Sequence, residues 1–588
     1  MSDFQFRKEK EGFACKLWRG ERMSLIGFDV EDPEPDLVGF SIEVKAPDAK
    51  DFEPLLNRLA FEYPKGAGSE VTGDRLFDSR LNPYQKFRWV HFPPDPKDGT
   101  YTYRVSKRHM KINGKVIAGT SLILGIEQSA VTYKGLVDVG FTRNFASSQA
   151  FREQFGDGED IIPALSKDGL KFNKSKLKNE RGQSVYEWLG FEARDLLFDF
   201  LDKTYRDKTL VLDVMAYDLN ERSIVEALEK FGSRLRIIID DSSSSDDTPH
   251  NSPASAESVS AKRLKAKGAE IVRTHFSGLQ HNKVFISRNK KTGEPQRVLC
   301  GSTNFTYRGL YIQANNMLVF DAPSVAKLFG DMFDISFLDP SSLRKDDFTK
   351  KWHVGHAKNP LVKICFSPHT DTDLSLNPIA AAVDQATSSV FYSVAFLGQT
   401  TKGATREAFD RLAQRPVFSY GTVDAKRNLE LLKPDGTRGV VDFAYLASKS
   451  PEPFKSEWSG GKGRNIHHKF VVTDFSLPSA KVFTGSSNFS PSGESGNGDH
   501  LIMIGDQRIA TAYAIEAVRV FDHLHFRNKM RDAFGSKGEK LKGAKKPAAM
   551  TLQKPAAISG SDHNWFDRFY PKKGVKSQAK RDRLLFST

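Results

Sequence analysis

The sequence predicts an α/β protein: two similar α/β units packed as a pseudo-twofold pair, preceded by an N-terminal β-rich, sandwich-like domain. Three observations lead there. Residues 1–150 alternate polar and apolar over short runs broken by Gly, Pro and Asp, the period of strands. From Val185 onward, runs at helical spacing alternate with short continuous apolar runs, the pattern of a sheet covered on both faces. One short arrangement also occurs twice, first as His281-Asn282-Lys283 with Gly301-Ser302-Thr303-Asn304, then as His467-His468-Lys469 with Gly485-Ser486-Ser487-Asn488.

In the β-rich domain, strands are expected over 37–44, 87–92, 100–105, 115–125 and 135–141, with Asn113-Gly114 as a hairpin turn. A Gly-, Asp- and Lys-rich linker at about 150–183 leads to the first α/β unit, 184–350. There the apolar spacing predicts helices over 185–205, 221–231 and 261–267, and strands over 209–215, 235–239 and 270–273, read as a largely parallel sheet. The second unit, 351–534, repeats the order with strands at 362–366 and 390–396 and helices at 378–387 and 405–413. Residues 242–260, rich in Ser, Asp and Pro, read as a disordered insertion. Residues 535–561 read as a flexible basic linker. Beyond them Trp565, Phe566, Phe569, Tyr570, Leu584, Leu585 and Phe586 equip the segment 535–588 to dock back as a strap.

His-x-Lys occurs four times. His109-Met110-Lys111 and His356-Ala357-Lys358 lack a following Gly-Ser-x-Asn and are assigned to surface or packing roles. The other two are complete, with Gly 20 and 18 residues after the His. Residues i and i+2 of a strand share a face, so each imidazole and ammonium are expected to point together into a cleft. The neighbouring strand brings Gly for a close turn, with a hydroxyl and an amide beside it. Such a set suits in-line attack on a phosphodiester: one imidazole attacks, the other protonates the leaving oxygen, and cations and donors meet charge on the non-bridging oxygens. The candidates are His281, Lys283, Asn304, His467, Lys469 and Asn488 as catalytic groups, with Ser302 and Ser486 binding the phosphate.

The formal charge of +14 favours a polyanionic partner. Most of it lies late in the chain, where residues 536–588 hold thirteen Lys and Arg against four Asp and Glu. Cys15, Cys300 and Cys365 are far apart and lack any CxxC spacing, which excludes a disulfide framework and a zinc site as expectations. No run approaches the roughly 18 apolar residues of a membrane span, and no apolar signal region is evident. A cytoplasmic protein without stable membrane insertion is expected.

The paired motifs, between about 184 and 530, resemble those of the phospholipase D superfamily. The resemblance implies two phospholipase D-like halves sharing one site, a covalent phosphohistidine, and no metal or other cofactor. It carries over His281, Lys283, Ser302 and Asn304 in the first motif, and His467, Lys469, Asp474, Ser486 and Asn488 in the second. Arg288 stands where the first motif usually has aspartate. The resemblance further implies that an acidic or amide residue about eleven positions after each motif asparagine orients the histidine of the other half. Those positions hold Asn315 and Asp499, with Gln313 competing for the amide role. A carboxylate makes an imidazole the better base and supports its positive charge. His281 with Asp499 is therefore expected as nucleophile and His467 with Asn315 as general acid.

Three classes follow in order: a nuclease acting on DNA ahead of RNA, a phospholipase or phosphatidyltransferase, and a non-catalytic nucleic-acid-binding protein. The β-rich domain is a place for a protein partner. Both motifs lie in one chain, so a monomer suffices for one site, and a dimer stays open.

Overall fold

The computed structural model describes residues 3–588 except 64–75, 145, 147, 157–160, 174–175, 244–247, 426–428, 431, 438, 443–465, 535–550, 573–574 and 576. Two four-stranded antiparallel sheets form the N-terminal part. One orders Gln5–Lys10, Phe13–Arg19, Ser24–Val30 and Arg88–His91; the other orders Val116–Gln128, Gly99–Met110, Leu37–Lys45 and Glu53–Pro54. Phe13, Leu17, Phe28, Phe40, Tyr103 and Leu124 belong to the core between them. The strand Gln5–Lys10 escapes a search for apolar runs because almost every residue is polar; main-chain pairing with Phe13–Arg19 holds it. Gly114 closes the expected hairpin, its N–H donating to Lys111 O at 2.8 Å.

The strand Val137–Phe141, expected in the β-rich domain, instead forms an edge of the first α/β sheet, antiparallel to Asn316–Phe320. That sheet runs in the order Val137–Phe141, Asn316–Phe320, Pro295–Gly301, Lys283–Asn289, Leu210–Ala216, Leu235–Ile239 and Glu270–Arg273. The second has His353–His356, Leu361–Ser367, Asp499–Gly505, Lys481–Gly485, Lys469–Thr473, Ser389–Val394, Phe418–Val423 and Val440–Asp442. Both sheets are mixed, which corrects the largely parallel expectation. Strands joined by helical crossovers, such as Leu210–Ala216 and Leu235–Ile239, are parallel. The motif strands are joined by short loops, which permit only antiparallel neighbours.

Two segments read as irregular are packed. In the stretch after residue 148, the helix Gln149–Phe155 sets Phe151 and Phe155 against Trp188, so burial of aromatic area orders it. Within 242–260, positions 244–247 lie outside the described residues. Ser242 and His250 are buried, and Ser255 caps the helix Ala256–Ala266 by accepting from Ser258 N–H. The expected disorder gives way because the His250 ring is bonded to two aspartates of the first sheet's loops.

Of the expected basic linker, 535–550 lies outside the described residues, while Leu552 N–H donates to Ala60 O at 2.9 Å. Trp565, Phe566 and Phe569 enter the core of the N-terminal sheets. The helix Gln578–Ser587 carries Phe586, fully buried against Phe391, Phe418 and Phe475 of the second unit, and Trp18 Nε1 donates to Phe586 O at 2.9 Å. Arg88 reaches both Asp522 and Asp582. Residues from the two ends of the chain thus close a core with the second α/β unit. Phe586→Ala should lower the unfolding free energy by about 3–5 kcal/mol; a denaturant midpoint equal to wild type would contradict this packing.

Candidate active site

The site sits where the two sheets meet. Each motif glycine is left-handed, Gly301 at φ +145° and Gly485 at φ +140°. A Cβ there would run into the carbonyl oxygen of Asn316 or His500 on the adjoining strand, so only glycine permits the approach. The next residue bonds that same carbonyl, Ser302 N–H to Asn316 O and Ser486 N–H to His500 O, each at 3.1 Å.

Two parallel bridges, Gln280 with Gly498 and Ala314 with Ile466, join the halves. In each, the residue before a motif histidine lies opposite the residue before the other half's orienting position. His281 N–H donates to Gly498 O at 2.9 Å and His467 N–H to Ala314 O at 3.1 Å. The side chains then meet across the bridge: His281 Nδ1 is 2.7 Å from Asp499 Oδ1, and His467 Nδ1 is 2.9 Å from Asn315 Oδ1. Asn315 donates its amide nitrogen to Gly309 O at 2.9 Å, which leaves Oδ1 to accept. Facing acceptors, both rings carry the proton on Nδ1, and Nε2 is the nitrogen left to react. The amide that reaches His467 is that of Asn315; Gln313 supplies its main-chain carbonyl, which accepts from Thr142 Oγ1 at 2.7 Å.

His281, His467 and Asp499 are buried. Burial pushes the His281 imidazole below its usual pKa, against the pull of Asp499. Burial alone would raise the Asp499 carboxyl, but His281 and Lys283 outweigh it and hold the group below the usual carboxylate range. An ionised Asp499 beside a neutral His281 satisfies both directions.

Lys283 Nζ donates to its own His281 carbonyl, and Lys469 Nζ to that of His467 at 2.7 Å. Each ammonium also lies over a ring, Lys283 4.9 Å from Tyr217 and Lys469 5.7 Å from the half-buried Phe396. Burial pushes Lys283 down to about 8, opposed by Asp499, Asp218 and Asp240. Asn304 Nδ2 donates to Asp218, while Oδ1 of Asn304 and Oδ1 of Asn488 are buried without a partner among the described residues. Phe305, Tyr307 and Phe489 lie in the core.

The two motif serines, expected to bind phosphate, make hydrogen bonds within the protein. Both are fully buried. Ser302 Oγ is 2.8 Å from Asn315 Oδ1 and from Asn316 Oδ1, and accepts from Asn316 N–H at 3.0 Å. Ser486 Oγ accepts from His500 N–H at 3.1 Å and lies 3.2 Å from His500 Nδ1. The Ser302 hydroxyl is thus engaged by Asn315 and Asn316, and the Ser486 hydroxyl by His500.

Asp474 accepts main-chain N–H bonds from Thr387, Ser388 and Ser389, tying down the start of the adjoining strand. Arg288, at the matching place, reaches Asp213 at 2.8 Å and Asp334 at 3.1 Å instead. Three groups beside the site had no motif to announce them: Tyr217, Asp218 and Asp240, each just past the C-terminal end of one of the parallel strands Leu210–Ala216 and Leu235–Ile239. That position in α/β sheets is itself a signal. His250, which joins the two aspartates, carries no such signal within its Ser-rich surroundings.

Residues 209–335 match the family model described as "Cardiolipin synthase, PLD-like domain". Over this segment the chain is similar to phospholipase D-like domains. The first motif, His281 to Asn304, falls inside the matched residues. No curated protein matches the chain in sequence. Among solved structures, similarity extends to polyphosphate kinase from Porphyromonas gingivalis, at 12% identity and a TM-score of 0.39 over 68% of this chain and 58% of that one. It extends to phosphatidylserine synthase of Haemophilus influenzae Rd KW20, also at 12% and 0.39, over 56% of this chain and 84% of the other. Yeast tyrosyl-DNA phosphodiesterase aligns at 11% and 0.28, over 51% and 83%. The match thus spans 58% of the length of the kinase. No described helix is long and apolar enough to cross a membrane.

With Lys283 pushed down to about 8, the site should bind anions in a pH-dependent way. Sulfate, whose charge is constant over this range, should bind more weakly as pH rises from about 7 to 9 and Lys283 loses its proton. The dependence should flatten in Lys283→Gln. Calorimetric titration reads both, and pH-independent binding to wild type would contradict the lowered pKa.

Proposed function

We propose that the chain is a metal-independent phosphodiesterase working through a covalent phosphohistidine, with a nucleic acid, DNA ahead of RNA, as substrate. The observation that carries the reading is the crossed pair of contacts from His281 to Asp499 and from His467 to Asn315. Nε2 of His281 attacks phosphorus; the N–P bond forms as the P–O bond to the leaving group breaks, and His467, protonated on Nε2, gives that proton to the departing oxygen. Neutral His467 then takes a proton from water as its oxygen attacks phosphorus, the N–P bond breaks, and His281 is restored. Asp499 supports the positive charge of the phosphorylated imidazole. The neutral amide of Asn315 fixes the other ring without stabilising its cation, which favours proton release. Lys283, Lys469, Asn304 and Asn488 receive the non-bridging oxygens.

The charge of +14 supports a polyanionic substrate. The cardiolipin synthase description of the matching model favours a second reading, phosphatidyl transfer, in which an alcohol replaces water in the second step. Incubation with single- and double-stranded DNA, RNA and phosphatidylcholine vesicles in EDTA separates them. DNA cleavage undiminished by chelator is expected; loss restored by magnesium refutes metal independence, and turnover of the phospholipid alone selects the second reading. His281→Ala should abolish both turnover and a trapped phosphoprotein, and an adduct persisting in that variant would reassign the nucleophile. Asp499→Asn should slow the first step by about 100-fold or more, read by rapid quench; an unchanged rate would remove the role given to the carboxylate.

A further inference from the structure

Beside the first motif, and belonging to neither, lies His250, 3% exposed. Its Nε2 is 2.9 Å from Asp218 Oδ1 and its Nδ1 is 2.8 Å from Asp240 Oδ2. Both ring nitrogens face carboxylates, which only accept, so the ring carries two protons and a positive charge. Burial would lower its pKa, but the two aspartates outweigh burial and push it up to about 10.

Each aspartate has a second engagement. Asp218 Oδ2 accepts from Asn304 Nδ2. Asp240 Oδ1 accepts from the main-chain N–H of Gln280, directly before His281, at 2.7 Å. Tyr217 packs its ring against both imidazoles, 4.9 Å from His250 and 5.0 Å from His281. In the second half, Asp424 accepts from Ile466 N–H, directly before His467, at 3.4 Å. One arm of the arrangement therefore recurs there, with a longer bond.

We propose that His250 is a positioning residue: its cation clamps Asp218 and Asp240, and through them sets the spacing between the Asn304 amide and the His281 ring. The proposal rests on the reading of His281 as nucleophile. Without the charge, the buried Asp240 and the partly exposed Asp218 are left as neighbouring carboxylates with no cation between them, and Glu257 adds a third to the same surroundings. They move apart or take up protons, and either response releases Asn304 and the chain before His281. Misplacement by about 1 Å costs on the order of 100-fold in rate.

The test is a double-mutant cycle in the full chain, with bis(p-nitrophenyl) phosphate as the phosphodiester probe and thermal melting to establish folding. His250→Gln is expected to lower kcat and the rate of phosphoprotein formation together, by roughly 10- to 100-fold. In an Asn304→Ala background the same change is expected to cost less than about threefold, because one arm of the clamp is already void. A kcat within about twofold of wild type, or an undiminished factor in the Asn304→Ala background, overturns the proposal. A purely structural role would lower the melting temperature and leave the two factors multiplicative. Should His250→Gln fail to fold, Asp218→Asn, at a partly exposed position, runs the same cycle, and multiplicative effects there overturn the proposal. A wild type without turnover, or an active His281→Ala, overturns the phosphodiesterase reading and the clamp with it. Loss confined to the His250 cycle separates the two failures.

Discussion

Each motif histidine takes its orientation from a residue in the other half, and that exchange is the constraint the α/β body satisfies. Asp499 is a buried carboxylate, and an unpaired one would cost several kcal/mol. It is tolerated because His281 bonds it and Lys283 adds positive charge beside it. Those groups converge only if two strand ends from different sheets lie in one register. The bridges Gln280 to Gly498 and Ala314 to Ile466 set that register, and the two left-handed glycines let the adjoining strands approach. The same close turns set the Ser302 hydroxyl against Asn315 and Asn316, and the Ser486 hydroxyl against His500.

The halves are alike in this framework and unlike in its charge. At the far end of each motif strand the contrast between Asp474 and Arg288 concerns how a strand is anchored: a carboxylate receiving main-chain N–H groups in one, a guanidinium reaching two carboxylates in the other. Near the cleft, His281 has Asp499, Lys283 and the aspartates held by His250 around it, while the partner of His467 is a neutral amide. The electrostatic difference is thus concentrated where the two imidazoles take different parts in the proposed reaction.

The motif residues were legible because strand geometry and a fixed offset along the chain determine their neighbours. The distance from Asn304 to Asn315 equals that from Asn488 to Asp499, and each pair spans one connection with a short helix between adjoining strands. The apolar strands were legible for the same local reason. Strand direction was not, since Lys283–Asn289 reads alike whether its neighbour runs with it or against it. Nor was the sheet to which Val137–Phe141 belongs, which depends on an edge left open by Asn316–Phe320. Serine orientation escaped because a hydroxyl's direction follows from tertiary approach. His250 escaped because composition averages over a segment, whereas one buried ion triad is enough to order it.

The exchange of orienting residues also bears on the chain's history. A single half could complete this site by pairing with an identical copy about a twofold axis, because each contact would be repeated with the roles reversed. In such a homodimer both orienting positions are encoded once and must be the same amino acid. Asn315 opposite one histidine and Asp499 opposite the other require the two copies to be encoded separately. Two unlike orienting residues, and with them two unlike proposed roles, are therefore open to a chain that carries both halves and closed to a homodimer of identical halves.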